Sequence, residues 1–149
     1  MSTIIQFGQY LLLKKIATGG MAELFLGKQI GIEGFEKPVV IKRILSHLAE
    51  NDEFTTMFLD EARVAAKLNH PRIVQIFDLG QEADAYYIAM EYISGQDLRK
   101  IAKRAQTLRE PLPLSFAVQI LVGVLEGLDH AHRKNDERGR PINLVHRDV

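Results

Sequence analysis

Residues 37–45 read KPVVIKRIL. Strand periodicity places Val40, Lys42 and Ile44 on one face and Val39, Ile41 and Arg43 on the other. β-branched residues occupy both faces, so the segment reads as a strand with apolar neighbours above and below. Pro38 stands at its start, where a missing N–H is tolerated. Lys42 is the anomaly. An ammonium between two β-branched residues either lies at an edge with its head in water or is buried beside an anion.

On the N-terminal side, residues 10–32 read YLLLKKIATGGMAELFLGKQIGI. Two apolar runs around ATGGMA predict a hairpin with a small-residue turn. Such residues let backbone N–H groups approach an anion closely, and they equally suit a tight hairpin with no ligand. On the C-terminal side, residues 51–69 read as a helix. Asn51 or Asp52 can cap it, and Asn69-His70-Pro71 ends it. Phe54, Phe58, Ala65 and Leu68 fall in a narrow arc of that helix, with Glu61 in its middle. A carboxylate centred on an apolar face and a lysine on an apolar strand solve each other's problem as a partly buried ion pair. Such a pair adds little net stability, because desolvation opposes the Coulomb attraction. Its presence argues for a task, such as holding an ammonium against phosphate oxygens.

Further along, RIVQIFDLG (72–80) and AYYIAMEYI (85–93) read as strands around a polar turn at 80–84. SGQDLRKIAKRAQ (94–106) reads as a short amphipathic helix, LREPLPL (108–114) as a breaker, and 115–134 as a longer helix. Within that helix, FAVQILVGVLEGL (116–128) has only Gln119 and Glu126 as polar residues. A helix apolar all round asks for burial on every side, yet the run is too short to span a bilayer. Little sequence follows it, so the expectation is that the chain is part of something larger. The sequence closes on VHRDV (145–149), where Asp148 is a natural general base and His146 reads as a packed structural imidazole.

Composition narrows the class. The 149 residues fit one ordinary domain, and 46% apolar with 26% charged residues is a globular balance. Lys+Arg and Asp+Glu both number 19, so net charge offers no general attraction to nucleic acid or to anionic lipid. There is no Cys, which excludes disulfides and thiolate zinc sites and suggests a reducing, cytoplasmic setting. The N-terminus does not read as a signal peptide, and no membrane segment is expected. His130 and His132 lie two apart on a helix and do not share a face, so no metal site is expected from this chain. His70, before Pro71, reads as a local hydrogen-bonding residue at a helix end.

As an ordered set, a Gly-rich hairpin, Lys42, Glu61 and His146-Arg147-Asp148 resemble the protein kinase family. LNHPRIVQIFDLG, YYIAMEYISGQDL and GLDHAH…LVHRDV look like the eukaryotic-like Ser/Thr kinases of bacteria. The resemblance runs from Tyr10 to Val149. It implies an α+β fold, with a small lobe of five antiparallel strands and one large helix. Residues 1–9 would be an extension, 10–93 the small lobe and hinge, and 94–149 the start of an incomplete large lobe.

The resemblance also implies an ATP site and transfer of phosphoryl groups to a protein substrate with Mg²⁺. Ile16, Ala17, Thr18, Gly19, Gly20, Met21 and Ala22 would form the loop over the phosphates. Lys42 would touch the α- and β-phosphates, with Glu61 as its partner. Leu24 and Val40 would sandwich the adenine, with Met90 at the back of the pocket. The backbone of Glu91, Tyr92 and Ile93 would bond the adenine edge, Asp97 would reach the ribose, and Asp148 would be the catalytic base. Two features depart from the family pattern. Ala17 and Ala22 replace the first and third glycines of the loop, and Val40 replaces a customary Ala. The segment RKNDERGRPIN (133–143) is longer than the commonest form and reads as a solvated excursion. The family's Mg²⁺-holding Asn and Asp-Phe-Gly follow the catalytic Asp, and neither occurs in these 149 residues. The chain alone is therefore expected to be inactive. The alternative is a catalytically dead kinase-like binding module that needs a partner.

Overall fold

The computed structural model describes residues 4–136 and 138–145. The chain divides into two compact units. One runs to Asn69 and resumes over Val74–Tyr92; the other comprises His70–Ile73 and the residues from Ile93 onward.

The first unit is a curled antiparallel sheet with one long helix. Its strands are β1 (Ile5–Phe7), β2 (Tyr10–Thr18), β3 (Ala22–Ile30), β4 (Glu36–Ile44), β5 (Ile76–Glu82) and β6 (Ala85–Glu91), in the spatial order β1-β2-β3-β4-β6-β5. The five expected strands are present. A sixth, β1, pairs with β2 from within the first nine residues. Three residues are too short a run to announce a strand by alternation. Pro38 is the third residue of β4, opposite Lys28, and does not open the strand.

The alternation in β4 separates two cores. Val39 and Ile41, both at 0% exposure, join Phe7, Tyr10, Leu12, Phe25, Tyr87 and Ala89 on one face. Ile44 joins Ala22, Ile88, Phe58 and Ala62 on the other. The last two come from α1 (Asp52–Ala65), so this is the helix-covered face. Asn51 caps α1 by accepting from the backbone N–H groups of Glu53 and Phe54. The helix stops at Ala65, short of the expected Asn69.

The β5–β6 turn is tighter than expected. Both strands run into the 80–84 stretch, leaving Ala83 (φ 51°) and Asp84 to turn the chain. Gly80 is thus a strand residue, and its lack of a side chain has a direct cause. A Cβ there would lie 2.5 Å from the Tyr87 hydroxyl oxygen. That hydroxyl and the Tyr10 hydroxyl both donate to Asp78 Oδ2, at 3.2 and 3.1 Å. Burial and then the Asp78 charge hold both phenols above their ordinary pKa.

The second unit contains α2 (Leu98–Leu108) and α3 (Leu114–His132). In α3 only Gly127 and Ala131 are buried, while Leu114, Leu121 and Leu125 stand 60% or more exposed. Burial on every side is therefore not met among the described residues. Residues 70–73 lie close to the helix because Gly127 has no side chain: a Cβ there would come 3.3 Å from the Arg72 carbonyl. Arg72 pairs with Glu126, and the His70 and His130 rings stack at 5.0 Å. His70 Nδ1 also accepts from the Arg72 N–H, a local bond of the expected kind. At 19 residues α3 is long and apolar enough, by length and composition alone, to cross a membrane, which the shorter 116–128 run did not suggest. In the 133–143 excursion Asn135 bridges antiparallel to Pro141, and Asp136 Oδ1 accepts from the N–H groups of Arg138 and Arg140.

Candidate active site

Lys42 sits mid-strand in β4, in register with Leu24 on β3 and Ile88 on β6. One row further along the same face, Val40 stands between Leu26 and Met90. Pairing of three consecutive neighbours in the sheet therefore brings Leu24, Val40, Lys42 and Met90 together on the α1 side. Lys42 Nζ lies 2.5 Å from Glu61 Oε1 and 5.8 Å from the Phe58 ring centroid.

The pair is less buried than the helical wheel implied. The Lys42 side chain is 22% exposed and that of Glu61 59%. The arc that meets the sheet is centred on Phe58 and Ala62, and Glu61 lies about 80° off that centre at ~100° per residue. Glu61 is a flank residue whose carboxylate reaches sideways to the ammonium. The ammonium remains partly open on its other sides.

Residues 19–21 form the β2–β3 turn, with Ala17 and Thr18 closing β2 and Ala22 opening β3. Gly19 N–H donates to the Ala22 carbonyl at 2.8 Å, and Leu45 N–H donates to the Met21 carbonyl at 3.0 Å, tying the turn to the end of β4. Ile16 is the extra residue of a bulge, since Lys15 pairs with Phe25 and Ala17 with Leu24. Ile16, Ala17, Thr18, Gly19 and Gly20 are exposed. The two alanine departures differ in kind. Ala17 carries its methyl in the open, whereas Ala22 is buried among Ile44, Phe58, Ala62 and Ile88. The Ala22 methyl is core filling and takes no space from the turn.

At the end of β6, Glu91 is held from both ends. Its N–H donates to the Gln75 carbonyl at 2.9 Å, and its carboxylate accepts from the Gln75 N–H. Tyr92 and Ile93 are exposed, and the boundary between the two units falls between them. Asp97 belongs to the second unit, where it caps α2. Its Oδ1 accepts from the Lys100 N–H at 2.8 Å, and its Oδ2 pairs with Lys100 Nζ. The backbone bond first, and then the lysine side chain, hold its carboxyl below the usual carboxylate range. His146 and Asp148 lie outside the described residues.

One charged group in this region was not anticipated. Glu23, on β3, is only 6% exposed and bonds both Arg43 and Lys15. Burial by itself would raise its pKa, but the hydrogen bonds and charges of Lys15 and Arg43 outweigh it and hold the carboxyl low. The Arg43 guanidinium also lies 4.9 Å from the Phe25 ring centroid. Arg43 thus faces away from Lys42, as alternation requires.

The protein kinase domain family matches residues 10–149. The chain belongs to the protein kinase family. It is 49% identical over 143 residues to the tyrosine-protein kinase MasK of Myxococcus xanthus, covering 96% of this chain and 22% of that protein. It is 36% identical over 142 residues to the serine/threonine-protein kinase PrkC of Bacillus subtilis, covering 95% of this chain and 20% of that protein. The chain thus spans about a fifth of the length of these relatives. Among solved structures it resembles the PknI kinase domain of Mycobacterium tuberculosis, at 31% identity and a TM-score of 0.68, over all of this chain and 54% of that one. The matched residues include the whole of α3.

Proposed function

We propose that the protein carrying this chain transfers the γ-phosphoryl group of ATP to a hydroxyl of a protein substrate, in the cytoplasm. The observation that carries the reading is the Lys42–Glu61 pair. A lysine in the middle of a strand is held in place by a carboxylate, beside an apolar row of Leu24, Val40 and Met90. That combination fits a nucleotide, with an apolar surface for a base next to a fixed cation for phosphates. Protein kinases generally use ATP with Mg²⁺, which would supply positive charge against the charge that develops on the phosphates.

In this reading Lys42 bonds the α- and β-phosphate oxygens, and Glu61 keeps the ammonium from swinging away. The Ile16–Ala22 segment, the β2–β3 turn with the strand ends beside it, covers the phosphates. Leu24 and Val40 flank the adenine, Met90 closes the pocket, and the backbone of Glu91, Tyr92 and Ile93 reads the adenine edge. Asp97 bonds the ribose once Lys100 yields one of its oxygens. Asp148 accepts the proton of the attacking hydroxyl.

Ser or Thr is the proposed acceptor, on the support of relatives such as PrkC and PknB, named as serine/threonine kinases. Tyr is a second reading, favoured by the 49% identity to MasK, named as a tyrosine kinase. The test is Asp148→Asn in the intact protein, with ATP binding measured beside transfer. The expected result is loss of transfer with ATP affinity retained; normal turnover would remove the base assignment. Phosphoamino-acid analysis of the wild-type product decides between the two acceptors.

A further inference from the structure

The Lys42 ammonium has a second neighbour on α1. Phe58 stands one helical turn before Glu61, so the two side chains are adjacent on the helix surface. Both meet the same lysine: Glu61 accepts a hydrogen bond from Lys42 Nζ, and that nitrogen lies over the Phe58 ring, 5.8 Å from its centroid. The distance is near the outer end of the range, about 6 Å, in which a ring face attracts a cation. The two holds differ in how firmly they are themselves fixed. The Glu61 side chain is exposed. Phe58 is 1% exposed and packed with Ala22, Ile44, Ala62 and Ile88, so its ring has nowhere else to go. They differ also in charge. Glu61 holds the ammonium with a negative charge of its own, whereas a ring face attracts a cation through its quadrupole and carries no net charge.

We propose that Phe58 is a positioning residue for phosphoryl transfer, its ring keeping the Lys42 ammonium at the ATP phosphates when the Glu61 carboxylate lets go, an inference that rests on the ATP-site reading above. The arrangement answers a conflict in the site. A lysine side chain is long and flexible, and water screens its pair with an exposed carboxylate. A second carboxylate would hold the ammonium more firmly but would repel the phosphates. An uncharged ring holds it without that repulsion and takes none of its three N–H donors in a hydrogen bond. Burial alone asks only for a large apolar side chain at position 58. Among the described residues Phe58 stacks on no other aromatic ring, so the face of its ring serves the lysine and no aromatic neighbour.

The experiment replaces Phe58 in the intact protein by mono-, tri- and pentafluorinated phenylalanine. Each step drains negative potential from the ring face while the side chain stays aromatic, apolar and close to its original shape. Calorimetry measures the affinity of each protein for ATP and for adenosine, which has no phosphates. The same series is made in a Glu61→Gln background. The expected result is that ATP affinity falls stepwise, by about two- to fivefold for the pentafluorinated ring, while adenosine affinity is unchanged. The fall should be steeper in the Glu61→Gln series, where the ring holds the ammonium without a carboxylate's charge. ATP affinity that stays level or rises along the series would overturn the proposal and leave the ATP site intact. An equal fall for adenosine would also overturn it, because the ring would then act through packing. A fall no steeper in Glu61→Gln would remove the idea that the ring takes over from the carboxylate. Wild-type protein that binds no ATP would remove the ATP-site reading itself, and the role of Phe58 with it.

Discussion

Lys42 and Arg43 are neighbours on β4, and each is bound by one principal carboxylate, yet the two pairs are built in opposite ways. Arg43 meets Glu23, whose side chain is 8% exposed and shared with Lys15. Lys42 meets Glu61, whose side chain is 59% exposed. The first carboxylate is fully committed, and its cations cover an otherwise buried charge. The second is anchored at one end only and stays open to solvent. The two cations are similarly covered, at 22% exposure for Lys42 and 27% for Arg43, so it is the burial of the carboxylate that sets the structural pair apart. Neighbouring residues reach these two fates because a strand sends them to opposite faces.

The sharpest way to break this contrast is Lys42→Met in the intact protein. Transfer should fall by about 10³-fold, on the scale of losing a preorganised charge-stabilising donor. Stability should change by only about 1 kcal/mol, because the Glu61 end of the pair is open to solvent. Kinase turnover and urea unfolding of the same sample give the two numbers. A large loss of stability would make Lys42–Glu61 a structural pair like its neighbour. Next in size is Glu23→Gln, with the opposite profile. It should lower stability by about 2 kcal/mol, the scale of hydrogen bonds to a charged group, with transfer by the folded protein preserved. Transfer falling as steeply as with Lys42→Met would mean that Glu23 acts on the site.

The two pairs were also unequally visible in the sequence. Lys42 and Glu61 each violate a local period, strand alternation in one case and a helical apolar arc in the other, so each announces itself. Glu23 violates nothing local. Its partner Arg43 is found only once β3 and β4 are in register, with Glu23 opposite Arg43. Register is a long-range property that a single strand does not display. The same reason hid the His70–His130 stack and the tyrosines bonded to Asp78, each of which joins residues distant in the chain. Periodicity also overstated the burial of Glu61. A helical wheel ranks apolar residues, but which of them faces the sheet depends on the strands beneath, and Phe58 with Ala62 took that place. Helix ends and the β5–β6 turn moved by a few residues for a similar reason, since pairing partners carry strands through positions that look like turn.

The smallest effect is a dependence on pH, and it separates the pairs without touching the active site. The Glu23 carboxyl is held below its ordinary value in the folded protein. Folding therefore favours its ionised form, and the stabilisation is fully present above the unfolded value of about 4.3. It is lost as pH falls through the lower, folded value, where the carboxylate takes up a proton and releases Arg43 and Lys15. The stability difference between wild type and Glu23→Gln should accordingly be constant near neutrality and shrink under acid conditions. Urea unfolding of both proteins at neutral pH and at pH ~3 measures it. A difference that stays constant across that range would mean that the buried carboxylate acts by shape and hydrogen bonding alone. The contrast with Glu61 would then lie in packing and not in charge.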